Sequence, residues 1–247
     1  MDLYITGAGV SSESGIPTFR GSDGFWTIGS KNYTPQEMAT RRMYKENPSQ
    51  FLLWYYTRFV KYRNAKPNEV HKYLVDKCLI TQNIDGLDFK AGNREYIPVH
   101  GNLHKVTIYD NQYNHVDKID APWESIEEEC PDLSDTKKLK GLLLDFFNIS
   151  KTSLSPEKMV SLKPYVLLFD EFYSNNYGIL KADNWMKKAK KFIFIGTSFS
   201  VNITSMALQK AINNNAKIEI VDPNPIDLNL EGIVYHNMNA IDYVNSI

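Results

Sequence analysis

The residues able to do chemistry sit directly behind short apolar runs. Cys78-Leu79-Ile80-Thr81 leads into Gln82-Asn83-Ile84-Asp85, and Tyr96-Ile97-Pro98-Val99 leads into His100-Gly101. Two carboxamides and a carboxylate at a strand end suit recognition of a sugar hydroxyl and of another carboxamide, though alone they also read as a turn. Histidine is the side chain whose unperturbed pKa, about 6.5, lies nearest neutrality, so His100 can exchange a proton there. A lone histidine is more often a satisfied core or surface residue. The strand end and the adjacent glycine set His100 apart from His104, and from His71, which reads as structural. A third run, Leu3-Tyr4-Ile5, ends in the string GAGVSSESGIPTFRGSDGFW, from Gly7 to Trp26. A strand closing in a glycine-rich turn offers backbone N–H groups to a phosphate. Gly7 and Gly9 let backbone approach an anion closely. Ser12 stands where a three-glycine dinucleotide fingerprint has its third glycine, so the GxG alone is a weak signal. Ser11, Ser12 and Ser14 add hydroxyls, and Arg20 adds a guanidinium able to grip a phosphate through two bonds. Tyr55 and Arg58 are three residues apart and share a helix face. That pair is open to two readings: a snorkelling arginine beside a core tyrosine, or a fork for a carboxylate.

The Gly7 to Gly21 string resembles the pattern of the sirtuins, NAD-dependent protein deacylases, close to GAGxSxxSGIPxFRG, with every fixed letter present. TQNIDGL at Thr81 to Leu87, HG at His100-Gly101 and GTS at Gly196 to Ser198 follow in the same order. The resemblance covers both ends of the chain and fails between about Val106 and Leu162. It implies NAD as cofactor and an acylated lysine protein or peptide as partner. Gly7, Ala8, Gly9, Ser14, Thr18, Phe19, Arg20 and Trp26 would then contact the dinucleotide from the first turn. Gln82, Asn83, Ile84 and Asp85 would meet the nicotinamide ribose and amide. Gly196, Thr197 and Ser198 close a later strand, and Asp222, Asn224 and Ala240 would lie at the adenosine end. Asp222 replaces the usual asparagine; an acidic residue at a strand end suits a ribose diol.

By the same resemblance the acyl oxygen attacks the nicotinamide ribose carbon as nicotinamide leaves, giving acyl-ADP-ribose. His100 is the implied general base, with Asn83 as the second catalytic residue. Tyr55 and Arg58 match the Tyr-x-x-Arg of the class that prefers acidic acyl groups, which makes the chain desuccinylase-like. Lys163 to Glu171 resembles the strand and loop RPxVVWFGE, so Val166, Leu168 and Phe169 would line the acyl channel. Leu168 replaces a tryptophan there. Asp170 replaces a glycine and would bring negative charge near the peptide backbone. Two other functions fit the same motifs. One is NAD hydrolysis or ADP-ribosyl transfer, with another nucleophile replacing the acyl oxygen. The other is a non-catalytic NAD or ADP-ribose sensor.

The elements that position these residues alternate. Pro35 after Thr34 marks a helix start, and the aromatic run Phe51 to Val60 predicts a long helix buried on one face. Asn68 to Lys77 and Val201 to Asn213 predict further helices. Phe192 to Ile195 is apolar throughout, as a central parallel strand buried on both faces would be. Lys217 to Val221 and Ile233 to Tyr235 complete the set. This alternation predicts an α/β, Rossmann-like parallel sheet with helices on both faces. Ligand should lie across the carboxyl ends of its strands. Residues 1–105 and 163–247 would form the NAD-binding domain, with 106–162 a smaller inserted module.

Sirtuins carry a zinc module held by two CxxC pairs in that middle stretch. This chain has two cysteines in all, Cys78 and Cys130, and no CxxC. A closed zinc site takes four ligands, and His104, His115 and Cys130 supply at most three, so no metal is expected. An apolar core must then hold the module, from Val106 to Tyr109, Leu139 to Phe147 and Leu154 to Leu162. Glu127 to Glu129 reads as a solvated helix face. The 247 residues are 43% hydrophobic, with 28 basic against 29 acidic side chains. That balance argues against a nucleic-acid-binding surface. No apolar run approaches the roughly 20 residues that span a bilayer. The scarcity of cysteine and the immediate first strand predict a cytoplasmic enzyme without a targeting segment. Oligomeric state is left open by these residues.

Overall fold

The computed structural model describes residues 1–18, 33–110, 112 and 115–247. Phe19, Arg20 and Trp26 lie outside the described residues. Six strands form a parallel sheet: β1 (Asp2–Thr6), β2 (Cys78–Thr81), β3 (Ile97–Pro98), β7 (Lys191–Ile195), β8 (Lys217–Val221) and β9 (Ile233–His236). Their order across the sheet is β3-β2-β1-β7-β8-β9. Chain order therefore reverses at β1, whose neighbours are β2 on one side and β7 on the other. In a parallel sheet such a switch point opens a crevice at the carboxyl ends of the strands.

Both faces of the sheet are buried, as the apolar runs require. Leu3, Ile5, Ile80, Phe192, Phe194 and Ile220 pack on one side against Ala182, Met186, Ile203 and Ala207. Tyr4, Leu79, Ile193, Ile195 and Val221 pack on the other against Val70, Leu74 and Tyr243. The alternation of odd and even positions on β1 and β7 produces this division directly.

A second, three-stranded antiparallel sheet is built from β4 (Gly101–Ile108), β5 (Lys118–Asp120) and β6 (Leu162–Val166), in the order β5-β4-β6. Three helices cover it: Pro48–Tyr62, Trp123–Glu129 and Thr136–Phe146. The stretch Tyr33 to Tyr62 forms three helices, Pro35–Met38, Arg41–Glu46 and Pro48–Tyr62, each capped at its start by a side chain. Thr34, Thr40 and Asn47 supply those caps, and those at Thr40 and Asn47 separate the three helices.

One continuous apolar cluster joins the aromatic helix to the middle of the chain. It includes Phe51, Tyr55, Phe59, Val106, Trp123, Ile126, Leu143, Phe147 and Leu168. Trp123 sits at its centre, tilted against Tyr56, Phe59 and Phe147, and its indole N–H donates to the Leu103 carbonyl at 2.7 Å. Among the described residues, no group of three or more His, Cys, Asp or Glu side chains could hold a metal ion. Cys130 is buried at the end of its helix, and His115 is exposed.

Candidate active site

Two loops meet backbone to backbone at the switch point. The Gly9 N–H donates to the Gly196 carbonyl at 2.9 Å, and Gly7 N–H donates to Ile195 at 3.1 Å. A Cβ on Gly9 would lie 2.6 Å from the Gly196 Cα, and one on Gly7 would lie 2.7 Å from the Gly196 oxygen. These glycines thus make room for the loop after β7. The close approach to an anion read from the sequence is not what first demands them.

The residues after β2 are fixed by the same crossing. Gln82 donates its amide nitrogen to the Thr6 carbonyl (3.1 Å) and to the Thr197 hydroxyl (3.0 Å). Asn83 donates to the Gly7 carbonyl (3.0 Å) and to Ser11 Oγ (3.1 Å). Ser11 in turn donates to Asp85 Oδ2 at 2.8 Å and lies 3.5 Å from His71 Nε2. With both amide nitrogens held by the scaffold, the carbonyl oxygens are what Gln82 and Asn83 can offer a ligand's donors.

His100 follows β3, and the Gly101 beside it is obligatory. Gly101 has φ +88°, and a Cβ there would lie 2.0 Å from the Tyr165 carbonyl oxygen on β6. The His100 Nδ1 is 3.0 Å from the Gln82 carbonyl, so Nδ1 carries the proton and donates it. Nε2 is then the basic nitrogen, 2.8 Å from the Tyr173 hydroxyl, with the two rings stacked at 25°. Burial pushes the imidazole down to about 4, against the opposing effect of the Gln82 hydrogen bond. The ring is neutral at neutral pH and able to accept a proton.

A cleft lies between the turns after β1 and β2 and the aromatic helix, and His100 is not on its lining. Ala8, Ser11, Ile16 and Pro17 line it from the first turn, and Asn83, Ile84 and Asp85 from the β2 turn. Arg58, Phe59 and Tyr62 form the opposite wall. Arg58 is 2% exposed, its guanidinium stacks 3.4 Å from the Trp54 ring, and Nη1 donates to the Trp54 carbonyl at 2.7 Å. Burial lowers it to about 9. The snorkelling reading of Arg58 is therefore excluded.

The sequence model of the Sir2 family matches residues 7–203. This chain belongs to that family. An NAD-dependent protein deacylase 1 of Caldanaerobacter subterraneus is 29% identical over 98% of this chain and 90% of its own length. An NAD-dependent protein deacylase of Aquifex aeolicus is 32% identical over 90% of this chain and 82% of its own. Among solved structures, a Sir2 homologue in complex with NAD superposes with a TM-score of 0.74 at 27% identity. That match covers 99% of this chain and 86% of the homologue.

Not every expected site residue of this Sir2 chain reaches the cleft. Tyr55, Val166 and Leu168 are packed in the apolar cluster at 2%, 2% and 1% exposure, whereas Phe169 is exposed. Asp170, expected beside a peptide backbone, accepts instead from the Arg41 and Arg42 backbone amides. At the far end, Asp222 accepts from the Asn224 N–H at 2.9 Å just past β8. Ala240 is buried against Val10 and Tyr243. Ser14 accepts from Asn68, Thr197 is buried under Gln82, and Ser198 is exposed with its hydroxyl 2.8 Å from that of Ser200.

Three contributors were not singled out by sequence pattern. Ser11 is the hub of the Asn83 and Asp85 contacts, and only its place in the glycine-rich string pointed to it. His104 lines the cleft and holds the Asp85 carbonyl through Nε2 at 3.1 Å. It lies three residues into β4, whose alternation was hidden by the bulge between Gly101 and Val106. Tyr173 carried no local signal, because it reaches His100 across 73 residues.

Proposed function

We propose that this NAD-dependent enzyme of the Sir2 family removes acyl groups from protein lysines. Nicotinamide and acyl-ADP-ribose are its products. NAD, when bound, supplies the glycosidic bond whose cleavage drives acyl transfer. The residues on the carboxyl edge of the sheet fit it by donor type. The Gln82, Asn83 and Asp85 turn would hold the nicotinamide ribose and amide, the crossing of Gly7 to Gly9 with Gly196 the diphosphate, and Asp222 the adenosine ribose. Ile84 and the string from Ser14 to Thr18 would enclose the nicotinamide half, with Ala240 under the adenine.

The observation carrying this reading is the state of His100. A half-buried imidazole, neutral at neutral pH and oriented by a backbone carbonyl through Nδ1, presents a single basic nitrogen. It would take the proton of a sugar hydroxyl as the acyl group moves to that sugar, which is general base catalysis. Asn83, rigidly held between Gly7 and Ser11, would orient the reacting centre.

We further propose a preference for acidic acyl groups, succinyl or glutaryl. Its support is Arg58, a buried cation on the wall of the cleft that also carries Asn83 and Asp85. Tyr55 would act from behind, packing the helix that presents Arg58. Mass spectrometry of the products tests the whole reading. NAD incubated with succinyl-lysine and acetyl-lysine peptides should give nicotinamide and acyl-ADP-ribose. Free ADP-ribose at the same rate with and without peptide would instead identify an NAD hydrolase, and no nicotinamide at all a sensor.

A further inference from the structure

Both ring nitrogens of His100 are engaged. Nδ1–H is held by the Gln82 carbonyl at 3.0 Å, and Nε2, the basic nitrogen, is 2.8 Å from the Tyr173 hydroxyl. Since Nε2 has no proton in this tautomer, the phenol must be the donor. The direction is set by the His100 tautomer: Tyr173 O–H donates to His100 Nε2. The Ile203 backbone amide, in the first turn of the helix Asn202–Asn213, lies near the phenol and opposes the upward push of burial on it.

Because the Tyr173 hydroxyl occupies Nε2, a substrate hydroxyl must either displace it or act through it. We propose that Tyr173 is a proton relay, carrying the proton from the substrate's sugar hydroxyl to His100. This rests on the reading of His100 as the base. The sugar O–H bond breaks and its proton passes to the phenol oxygen, while the phenol's own proton passes to Nε2. The electron pair of the broken bond stays on the sugar oxygen that takes up the acyl group. His100 becomes imidazolium, its Nδ1–H still on the Gln82 carbonyl, and Tyr173 ends neutral. No free phenolate is required, which matters because burial raises the Tyr173 phenol to about 12. The nearby Ile203 amide favours the partial negative charge that passes through the oxygen, in the direction in which it shifts the phenol.

Tyr173 is half-buried against the sheet core, and the ring contact and the short bond aim its hydroxyl at His100. A purely structural tyrosine in that place would need its ring. A relay needs its hydroxyl.

Tyr173→Phe separates the two. Nicotinamide exchange into NAD, which reports the step before proton abstraction, should stay within about threefold of wild type. Acyl-ADP-ribose formation should fall about 100-fold in kcat, the low end of what a general acid–base group contributes, with KM for NAD unchanged. A second readout needs no substrate. In the ligand-free protein, the His100 Nε2 nitrogen shift in NMR should move toward that of an acceptor without a partner in Tyr173→Phe. Wild-type or faster product formation by the variant would overturn the relay, the faster rate marking Tyr173 as an obstruction. An unmoved Nε2 shift would overturn it too, by removing the hydrogen bond. If wild-type protein neither exchanges nicotinamide nor forms product, or if His100→Ala remains fully active, the reading of the base fails and the relay fails with it.

Discussion

Asp170 caps a helix that begins 129 residues before it. Its Oδ1 accepts the Arg41 amide at 2.6 Å, and Oδ2 accepts the Arg42 amide at 3.1 Å. These are two of the N–H groups that open the helix Arg41–Glu46, where no intrahelical partner exists for them. The carboxylate thereby ties the loop after β6 to the helices that carry the cleft wall. Asp170→Ala should cost about 1 kcal/mol of stability, as loss of a capping side chain does. A thermal melt checks this. KM for an acylated peptide should stay within about twofold, because the charge is occupied by the helix; a larger gain in peptide binding would restore the expectation drawn from the sequence.

His100 sets the pH dependence. Its pKa is lowered to about 4, chiefly by burial, so the base is available well below neutrality. The acid limb of kcat for acyl transfer should therefore fall near pH 4 to 5, not near 6.5. Stability follows the same sign. The unfolded chain binds a proton near 6.5 that the folded ring refuses until about 4, so stability drops as pH falls through that window. His100→Ala should abolish acyl transfer and leave NAD affinity within about tenfold, measured by calorimetric titration. An acid limb at 6.5 would mean that the imidazole is solvated in the working enzyme.

The sheet was legible because its strands are short apolar runs bounded by turn residues. Cys78–Thr81 and Lys217–Val221 match the expected bounds, since each carries a buried apolar core and is followed by a polar residue, Gln82 or Asp222. His100 and the Gln82 to Asp85 turn were legible for the same reason: a parallel sheet brings the ends of β1, β2, β3 and β7 together. The roles of Gly7 and Gly9 were not, because the atom they avoid belongs to Gly196, remote in sequence. Tyr173 and Asp170 were invisible as contacts, each acting across more than 70 residues on a backbone or ring that no local pattern specifies. The helix start at Pro35 and the long helix over Phe51 to Val60 both formed, and the helix Arg41–Glu46 between them was not foreseen. The Thr40 and Asn47 side chains compete for backbone amides and open new helices.

Trp123 is where the middle of the chain should be most sensitive. It is 1% exposed, touches three aromatic rings and holds the Leu103 carbonyl with its indole. Trp123→Ala should destabilise by about 3–5 kcal/mol, the range for truncating a buried aromatic. Native protein should keep its melting temperature in a strong chelator and carry no stoichiometric zinc by elemental analysis. About one zinc per chain, with a Tm lowered by chelation, would mean that metal and not this core holds the module.

Arg58 decides acyl preference. Its guanidinium is buried between the Trp54 ring and the cleft that Asn83, Ile84 and Asp85 enter from the other side. A buried guanidinium on the cleft wall can meet a substrate carboxylate with a charge-assisted, two-point hydrogen bond. A succinyl or glutaryl carboxylate would make that bond; an acetyl group would not. A charge-assisted hydrogen bond contributes about 1.5–3 kcal/mol, or roughly 10- to 150-fold in kcat/KM. Succinyl-lysine should therefore be preferred over acetyl-lysine by that factor. Arg58→Met keeps the length and packing over Trp54 but removes the charge, and should erase the preference by lowering kcat/KM for the succinyl peptide alone. Arg58→Lys should recover only part of it, since an ammonium lacks the planar two-point geometry. Equal kcat/KM for the two peptides in wild type, unchanged in Arg58→Met, would assign Arg58 to the packing of the aromatic helix and leave acyl choice to other residues.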